Sequence, residues 1–174
     1  GVGGGGGRRG VCAGEGVSGV TGAAANHLTI LTGASRGMGH AMAGQLLAPG
    51  HTVLTLARRP DEALASRAAA AGATLTQWSA DLADAAPVAA RLADWLAAHD
   101  GAAFASSALI NNAGVIPAIV PLRDAAPADL ANALRVGLEA PMQLTAAFLH
   151  ATADWAVPRK VLNISSGLGR RAMA

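Results

Sequence analysis

The chain has 174 residues, of which 52% are hydrophobic and 14% charged, enough apolar material for one domain with a buried core. Its formal net charge of +2 comes from scattered basic residues without interleaved aromatics, which argues against a nucleic-acid partner. No apolar run reaches the ~20 residues that span a bilayer, and the start of the chain lacks a signal-peptide profile, so we expect no membrane association. The single cysteine, Cys12, indicates a reducing, cytoplasmic location.

The first 26 residues are predicted to form a disordered, glycine-rich segment outside the domain of residues 27–174. They begin with Gly rather than Met and hold half of the 22 glycines, with neither helical nor strand periodicity. Translated upstream sequence or a linker explains this composition. A phosphate-binding role for residues 3–7 would need a preceding strand and a following helix, which the sequence does not offer.

The first predicted strand, residues 27–31, runs directly into a turn with glycines at 33, 37 and 39. Glycines let the backbone turn tightly and approach a phosphate, and the helix that follows offers unpaired N–H groups and a positive dipole end. This layout predicts a cradle for a dinucleotide pyrophosphate. The helix after Gly37 places Met38, Met42 and Leu46 on one face and ends before Pro49-Gly50.

Short apolar runs and helical stretches then alternate along the chain. A second strand is predicted at residues 52–57, a helix at 61–71, a third strand at 74–79 and a helix at 87–99 with Pro87 in its first turn. This alternation indicates βαβ units and a parallel sheet that helices cover on both faces.

The last predicted elements are a fourth strand at residues 107–112, a long helix at about 127–151 and a fifth strand at 160–165. The long helix has apolar residues at intervals of four, at Leu130, Leu134, Leu138 and Met142. The fold class is therefore α/β, a doubly wound parallel sheet with strand order 3-2-1-4-5. Its ligand crevice is expected at the carboxyl ends of strands one and four.

Three motifs in order resemble the short-chain dehydrogenase/reductase family. They are Thr-Gly-x-x-x-Gly-x-Gly at residues 32–39, Asn-Asn-Ala-Gly at 111–114 and Asn-Ile-Ser-Ser at 163–166. The last motif and the residues after it resemble members near sepiapterin reductase and related carbonyl reductases. The resemblance covers residues 27–174 and implies a Rossmann fold of the classical type. Because family members add a further strand–helix–strand stretch, the chain resembles an N-terminal part, truncated before the C-terminal part.

Two arginines favour NADP(H) as the cofactor. Arg36 lies inside the turn, and Arg58 follows the second strand, where an acid would otherwise hold the ribose 2′-hydroxyl. A guanidinium can grip a 2′-phosphate through charge-assisted hydrogen bonds. The alternative is that Arg58 and Arg59 are ordinary solvated residues at a strand end. Asp61, a little further on, is better placed at a helix N-terminus.

The family resemblance implies further cofactor contacts after the third and fourth strands. Asp81 and Leu82 resemble the family's adenine contact, although a turn aspartate is the alternative for Asp81. Asn111 to Gly114 would brace the central strands while the backbone passes close to the cofactor ribose. The full set of expected cofactor-binding residues is Gly33, Ser35, Arg36, Gly37, Met38, Gly39, Arg58, Asp81, Leu82, Asn112, Ala113 and Gly114.

Ser166 matches the family's catalytic serine, which holds the substrate carbonyl by a hydrogen bond. In the mechanism that the resemblance implies, a tyrosine exchanges the substrate proton and a lysine one helical turn later lowers the pKa of that tyrosine. The chain has no tyrosine, and the Tyr-x-x-x-Lys pair is expected about a dozen residues beyond Ser166, with one turn between its members. Lys160 precedes the serine and cannot replace this lysine. The chain by itself is therefore expected to be inactive.

A second departure from the family lies in the long helix, where Gly137 stands in place of the usual asparagine of a proton relay. Pro141 follows four residues later. Because proline cannot donate to the carbonyl of Gly137 and crowds it, a kink is expected there.

Three histidines and three tryptophans of the domain are expected to have structural rather than functional roles. His40, His51 and His99 show no metal-ligand spacing, so no metal site is predicted. Trp78, Trp95 and Trp155 are expected to pack rather than to serve as stacking platforms.

These observations favour the N-terminal part of an NADP(H)-dependent oxidoreductase that acts on a small-molecule carbonyl or alcohol. The resemblance also implies a homo-oligomer for the full-length protein, paired through the long helix. One alternative is a non-catalytic dinucleotide-binding or scaffold protein of the same fold, which Gly137 favours slightly. Another is an incomplete translation product without a stable fold, since the fifth strand would be left as an edge.

Overall fold

A computed structural model describes residue 1 and residues 25–166. Residues 2–24, which include Cys12, and residues 167–174 lie outside the described residues. The expectation of disorder for the glycine-rich segment therefore falls on residues that the structure does not describe. At the edge of that segment, Asn26 bonds to the domain: its side-chain Oδ1 accepts from the Thr52 hydroxyl at 3.1 Å, and its carbonyl accepts from Ala105 at 2.7 Å.

Five parallel strands form one sheet in the order β3-β2-β1-β4-β5, which confirms the predicted topology. The strands are β1 (His27–Thr32), β2 (Thr52–Ala57), β3 (Thr74–Ser79), β4 (Ser106–Asn111) and β5 (Arg159–Asn163). Each lies within about two residues of its predicted bounds, the uncertainty expected where a boundary depends on hydrogen bonding.

The helices are α1 (Gly37–Leu46), α2 (Glu62–Ala71), α3 (Ala85–Ala97), α4 (Pro127–Leu134) and α5 (Ala140–Ala151). A π-helical turn, Arg135–Glu139, joins α4 to α5. Short 3₁₀ turns at Gly101–Ala103 and Leu122–Asp124 precede β4 and α4. None of these described helices is long and apolar enough to cross a membrane.

Two apolar clusters cover the two faces of the sheet, because successive side chains of a strand point to opposite faces. Leu28 and Ile30 of β1 pack on the α3 and α5 side with Leu144 and Phe148. Leu31 packs on the α1 and α2 side. Trp78 lies in the first cluster, with Trp95 and Trp155 packed against it, so all three tryptophans take part in packing.

Helical periodicity located the helices but did not settle which face is buried. On α1 the buried residues are Gly39 and Ala43, while Met38 is 54% exposed at the helix start. On the long helix, Leu134, Leu138 and Met142 are 56–64% exposed. Its buried row consists of Val136, Ala140, Leu144 and Phe148, which also recur every four residues and are the ones that meet the sheet.

A π-helical turn lies just before Pro141, where a kink is expected, and the kink itself stays a prediction. The Ala140 N–H donates to the carbonyl of Arg135, five residues back, so one extra residue is accommodated there. Gly137 lies inside this turn and is exposed. A Cβ added at Gly137 would meet nothing within 4 Å.

Candidate nucleotide-binding site

The carboxyl ends of β1 and β4 are joined by hydrogen bonds that centre on Thr32. The Thr32 hydroxyl oxygen accepts from the backbone N–H groups of Asn112 and Ala113, both at 2.9 Å. The Asn112 side-chain amide donates to the carbonyls of Thr32 at 3.0 Å and Gly33 at 3.2 Å. The glycine-rich turn and the Asn-Asn-Ala-Gly segment are therefore held as one unit.

Two glycines of the turn are required by close approach. Gly33 has φ +75°, and a Cβ added there would lie 2.9 Å from the Ala113 Cα. A Cβ at Gly39 would overlap the Gly33 carbonyl and the Asn112 amide nitrogen. Because no side chain fits at either position, backbone borders the space in front of α1.

That space is a cleft of about 420 Å³ at the carboxyl ends of β1 to β4, which we call the nucleotide cleft. All twelve residues expected to bind the cofactor line it, from Gly33 and the turn to Gly114. Residues that the sequence did not single out complete the lining: Leu56, Ala57, Ala80, Val115, Asn132 and Val136. Asn132 and Val136 reach the cleft from the long helix, and only the tertiary packing reveals that.

The N-terminus of α1 opens onto the cleft, because Gly37, Met38 and Gly39 are among its lining residues. The first N–H groups of a helix lack intrahelical partners and carry partial positive charge. An anion such as a pyrophosphate fits this end of the cleft.

Asp81 lies two residues beyond the end of β3 and shows the turn geometry considered for it, while its contact with adenine stays a prediction. Its Oδ1 accepts from the Ala83 N–H at 3.0 Å, as in a turn, and the residue also lines the nucleotide cleft. Its neighbour Leu82 is 6% exposed and belongs to the core cluster under the cleft.

Asn111, the first residue of its motif, has a structural position. It is 4% exposed, and its amide nitrogen donates to Asn163 Oδ1 at 2.8 Å and to the Thr145 hydroxyl at 3.2 Å. These bonds link β4 to β5 and α5. The Ile164 N–H extends the link by donating to the Asn111 carbonyl at 2.9 Å.

Ser166 lies three residues beyond the end of β5 and is exposed. It stands outside the set of described residues that line the nucleotide cleft. Within the described part of the chain, no group of three or more His, Cys, Asp or Glu side chains is arranged to hold a metal ion.

Comparison with known proteins agrees with this geometry. The family model described as short chain dehydrogenase matches residues 27–174. A benzil reductase ((S)-benzoin forming) from Bacillus cereus is 33% identical over 141 residues, which cover 81% of this chain and 57% of the relative. The chain thus spans little more than half the length of that relative.

Solved structures of short-chain dehydrogenases are also similar to this chain. A short-chain dehydrogenase/reductase from Burkholderia vietnamiensis is 38% identical with a TM-score of 0.74, covering 85% of this chain and 69% of that one. A metagenomic short-chain oxidoreductase in complex with NADP is 32% identical with a TM-score of 0.72, covering 85% and 66%.

Proposed function

Since this chain belongs to the short-chain dehydrogenase family, we propose that the complete protein is an NADP(H)-dependent oxidoreductase acting on a carbonyl/alcohol pair. The observation that carries the proposal is the nucleotide cleft, where the turn, the Asn-Asn-Ala-Gly segment and two arginines meet. When bound, the nicotinamide supplies or accepts the hydride. The proposal also includes a cytoplasmic location, based on the single cysteine.

NADP(H) rather than NAD(H) is proposed from the charge beside the cleft. Arg36 and Arg58 line it, and neither guanidinium has a hydrogen bond or ion pair to another described side chain. Asp61, the acid that follows β2, is bonded elsewhere: its Oδ1 accepts from Ala63 and Leu64. A 2′-phosphate would meet two exposed cations there, and the related metagenomic oxidoreductase was solved with NADP.

Ser166 is proposed to donate a hydrogen bond to the substrate carbonyl. A tyrosine and a lysine that follow residue 174 would complete the proton transfer, about four residues apart so that both face one side of a helix. The sequence of the complete coding region tests this directly. Another residue at the tyrosine position would overturn the enzyme proposal and favour the scaffold alternative.

We also propose that the substrate carbonyl carries bulky apolar groups. The segment after Gly114 enters the cleft wall at Val115, and it then exposes Ile116, Ile119 and Leu122 at 77–88%. Apolar side chains at the mouth of a cleft suit an apolar ligand. Benzil, named in the related Bacillus enzyme, is such a molecule.

The test is NADPH oxidation by the complete protein with benzil as the acceptor. We expect turnover with NADPH in preference to NADH, and a Ser166→Ala variant about 100-fold or more slower, the loss typical for one donor to a developing oxyanion. The matched control is Ser165→Ala, which removes the neighbouring hydroxyl and should keep most of the activity. Equal activity of the two variants would overturn the role of Ser166.

A further inference from the structure

A second cleft of about 870 Å³ adjoins the first and contains most of the charge near the site. We call it the charged cleft. Its lining residues are Ser35, Arg36, Arg58, Arg59, Pro60, Asp61, Glu62 and Ala63. The lining thus includes three arginines and two acidic residues, and the three arginines and Glu62 are exposed. Arg36 and Arg58 also line the nucleotide cleft, so the two clefts share their cations.

Asp61 is held more firmly than its neighbours. Its backbone N–H donates to Gln77 Oε1 and its carbonyl accepts from Gln77 Nε2, both at 2.9 Å. Its carboxylate oxygen Oδ1 accepts from Ala63 at 2.8 Å and from Leu64 at 3.4 Å, which caps α2. The other carboxylate oxygen of Asp61, Oδ2, takes no part in this cap, and three arginines line the same cleft.

His40 is the partner of Asp61 Oδ2. Its Nδ1 lies 2.9 Å from Asp61 Oδ2, and because a carboxylate only accepts, Nδ1 carries the hydrogen. The His40 side chain is 36% exposed and that of Asp61 is 22% exposed, so water screens the pair only partly. His40 is fixed in turn, since it directly follows Gly39 in the first turn of α1.

We propose that His40 is a positioning residue for cofactor selectivity. By occupying Asp61 Oδ2, it keeps this carboxylate away from the arginines of the charged cleft, which therefore stay available to a 2′-phosphate. The inference rests on the proposed preference for NADP(H). It adds a residue on α1 that does not touch the cofactor's phosphate itself but decides what the neighbouring arginines bind.

Without His40, Asp61 would still cap α2 through Oδ1, and Oδ2 would turn toward the cations. A guanidinium that is paired with a carboxylate has less charge to offer a phosphate, so NADP⁺ would bind more weakly. NAD⁺ has no 2′-phosphate, so its binding would not change. The effect is thus specific to one of the two cofactors.

The test is a double-mutant cycle on the complete protein, with NADP⁺ and NAD⁺ affinities measured by calorimetry. We expect His40→Ala to weaken NADP⁺ binding about two- to fivefold, the size of one partly screened charge interaction, and to leave NAD⁺ binding unchanged. His40→Asn, whose amide can donate from nearly the same place as Nδ1, should restore NADP⁺ binding. In an Asp61→Asn background, which keeps the cap without the charge, His40→Ala should have no effect.

The matched control is His51→Ala, which removes a half-buried histidine that contacts the His27 ring, 5.1 Å away, and should not alter the ratio of the two affinities. If His40→Ala weakens both cofactors equally, or weakens NADP⁺ equally in the Asp61→Asn background, the residue is merely structural and the inference fails. If His40→Ala does not fold, the two other variants test the inference. It is supported if His40→Asn binds NADP⁺ as the wild type does and Asp61→Asn binds NADP⁺ no more weakly than the wild type. An Asp61→Asn variant that loses NADP⁺ selectivity overturns it.

The same data separate this inference from the proposed function. A wild-type protein that prefers NADP⁺, together with an unchanged His40→Ala variant, overturns only the role of His40. A wild-type protein that binds both cofactors equally, or neither, overturns the proposed cofactor preference and the inference with it.

Discussion

Thr32 shows how one side chain can join two strands at a site. It is 2% exposed, and its single hydroxyl oxygen accepts two backbone N–H groups from the segment after β4. Buried backbone donors need partners, since an unpaired one costs about 1–3 kcal/mol. A valine of the same shape would leave both donors unpaired. Thr32 therefore fixes where the Asn112–Gly114 backbone passes the cleft.

At the same scale, Gly39→Ala is expected to destabilise the protein by about 2 kcal/mol or more, because the new methyl would overlap the Gly33 carbonyl and the Asn112 amide. Urea denaturation measures this. Gly114→Ala is the control in the same cleft: an added Cβ there meets nothing within 4 Å, so a change within about 0.5 kcal/mol is expected. Equal stabilities of the two variants would contradict the close packing of the turn.

Among the elements, the long helix from α4 to α5 departs most from regular geometry. Its π-helical turn contains Gly137 and immediately precedes the segment with Pro141. Proline has no N–H for the regular i→i−4 bond, and a π-turn shifts the pattern by one residue. This turn also brings Val136 to the wall of the nucleotide cleft, so the irregularity and the site lie together.

The stability of the protein should respond in opposite directions to alanine at two glycines, Gly72 and Gly137. Gly72 ends α2 with φ 66°, whereas Gly137 has no positive φ, and a Cβ at either meets nothing within 4 Å. Gly72→Ala should therefore cost about 1 kcal/mol of stability, and Gly137→Ala should gain about 0.5–1 kcal/mol from the lower entropy of the unfolded chain. Urea midpoints of the two variants test this. Shifts of the same sign would show that the backbone angle is not what distinguishes the two positions.

For the whole molecule, the sheet order places four strand ends around one cleft. The sheet grows from β1 in both directions: β2 and β3 are added on one side, and β4 and β5 on the other. Crossover segments leave this switch point on opposite faces, so a crevice opens between them. The nucleotide cleft lies there.

Assembly is also a property of the whole molecule. Leu134, Leu138 and Met142 form an exposed apolar row on the long helix, and we expect the complete protein to be a homo-oligomer that buries this row. A Leu138→Glu/Met142→Glu double variant should have a lower mass by light scattering after gel filtration, since burying two new charges in an interface is costly. Ala90→Glu, on the exposed side of α3, should leave the mass unchanged. A double variant with the wild-type mass would contradict pairing through this row.

The sequence by itself determined the class, the strand order and the turn. Short apolar runs identify the strands and apolar residues at helical spacing identify the helices, and parallel βαβ units allow few topologies. The spacing of Gly33, Gly37 and Gly39 is a local requirement of backbone geometry, so it can be recognised in the sequence without knowledge of the fold. The twelve residues expected at the cofactor do lie around one cleft, while their roles stay predictions.

Only the tertiary structure decided which faces are buried and which polar groups meet. The long helix has apolar residues on two faces, and contact with the sheet selected the row with Ala140 and Phe148. His40 and Asp61 are 21 residues apart in the sequence, and they meet because the fold places α1 beside the start of α2. Such pairings depend on distances across the fold, which no local pattern of residues encodes.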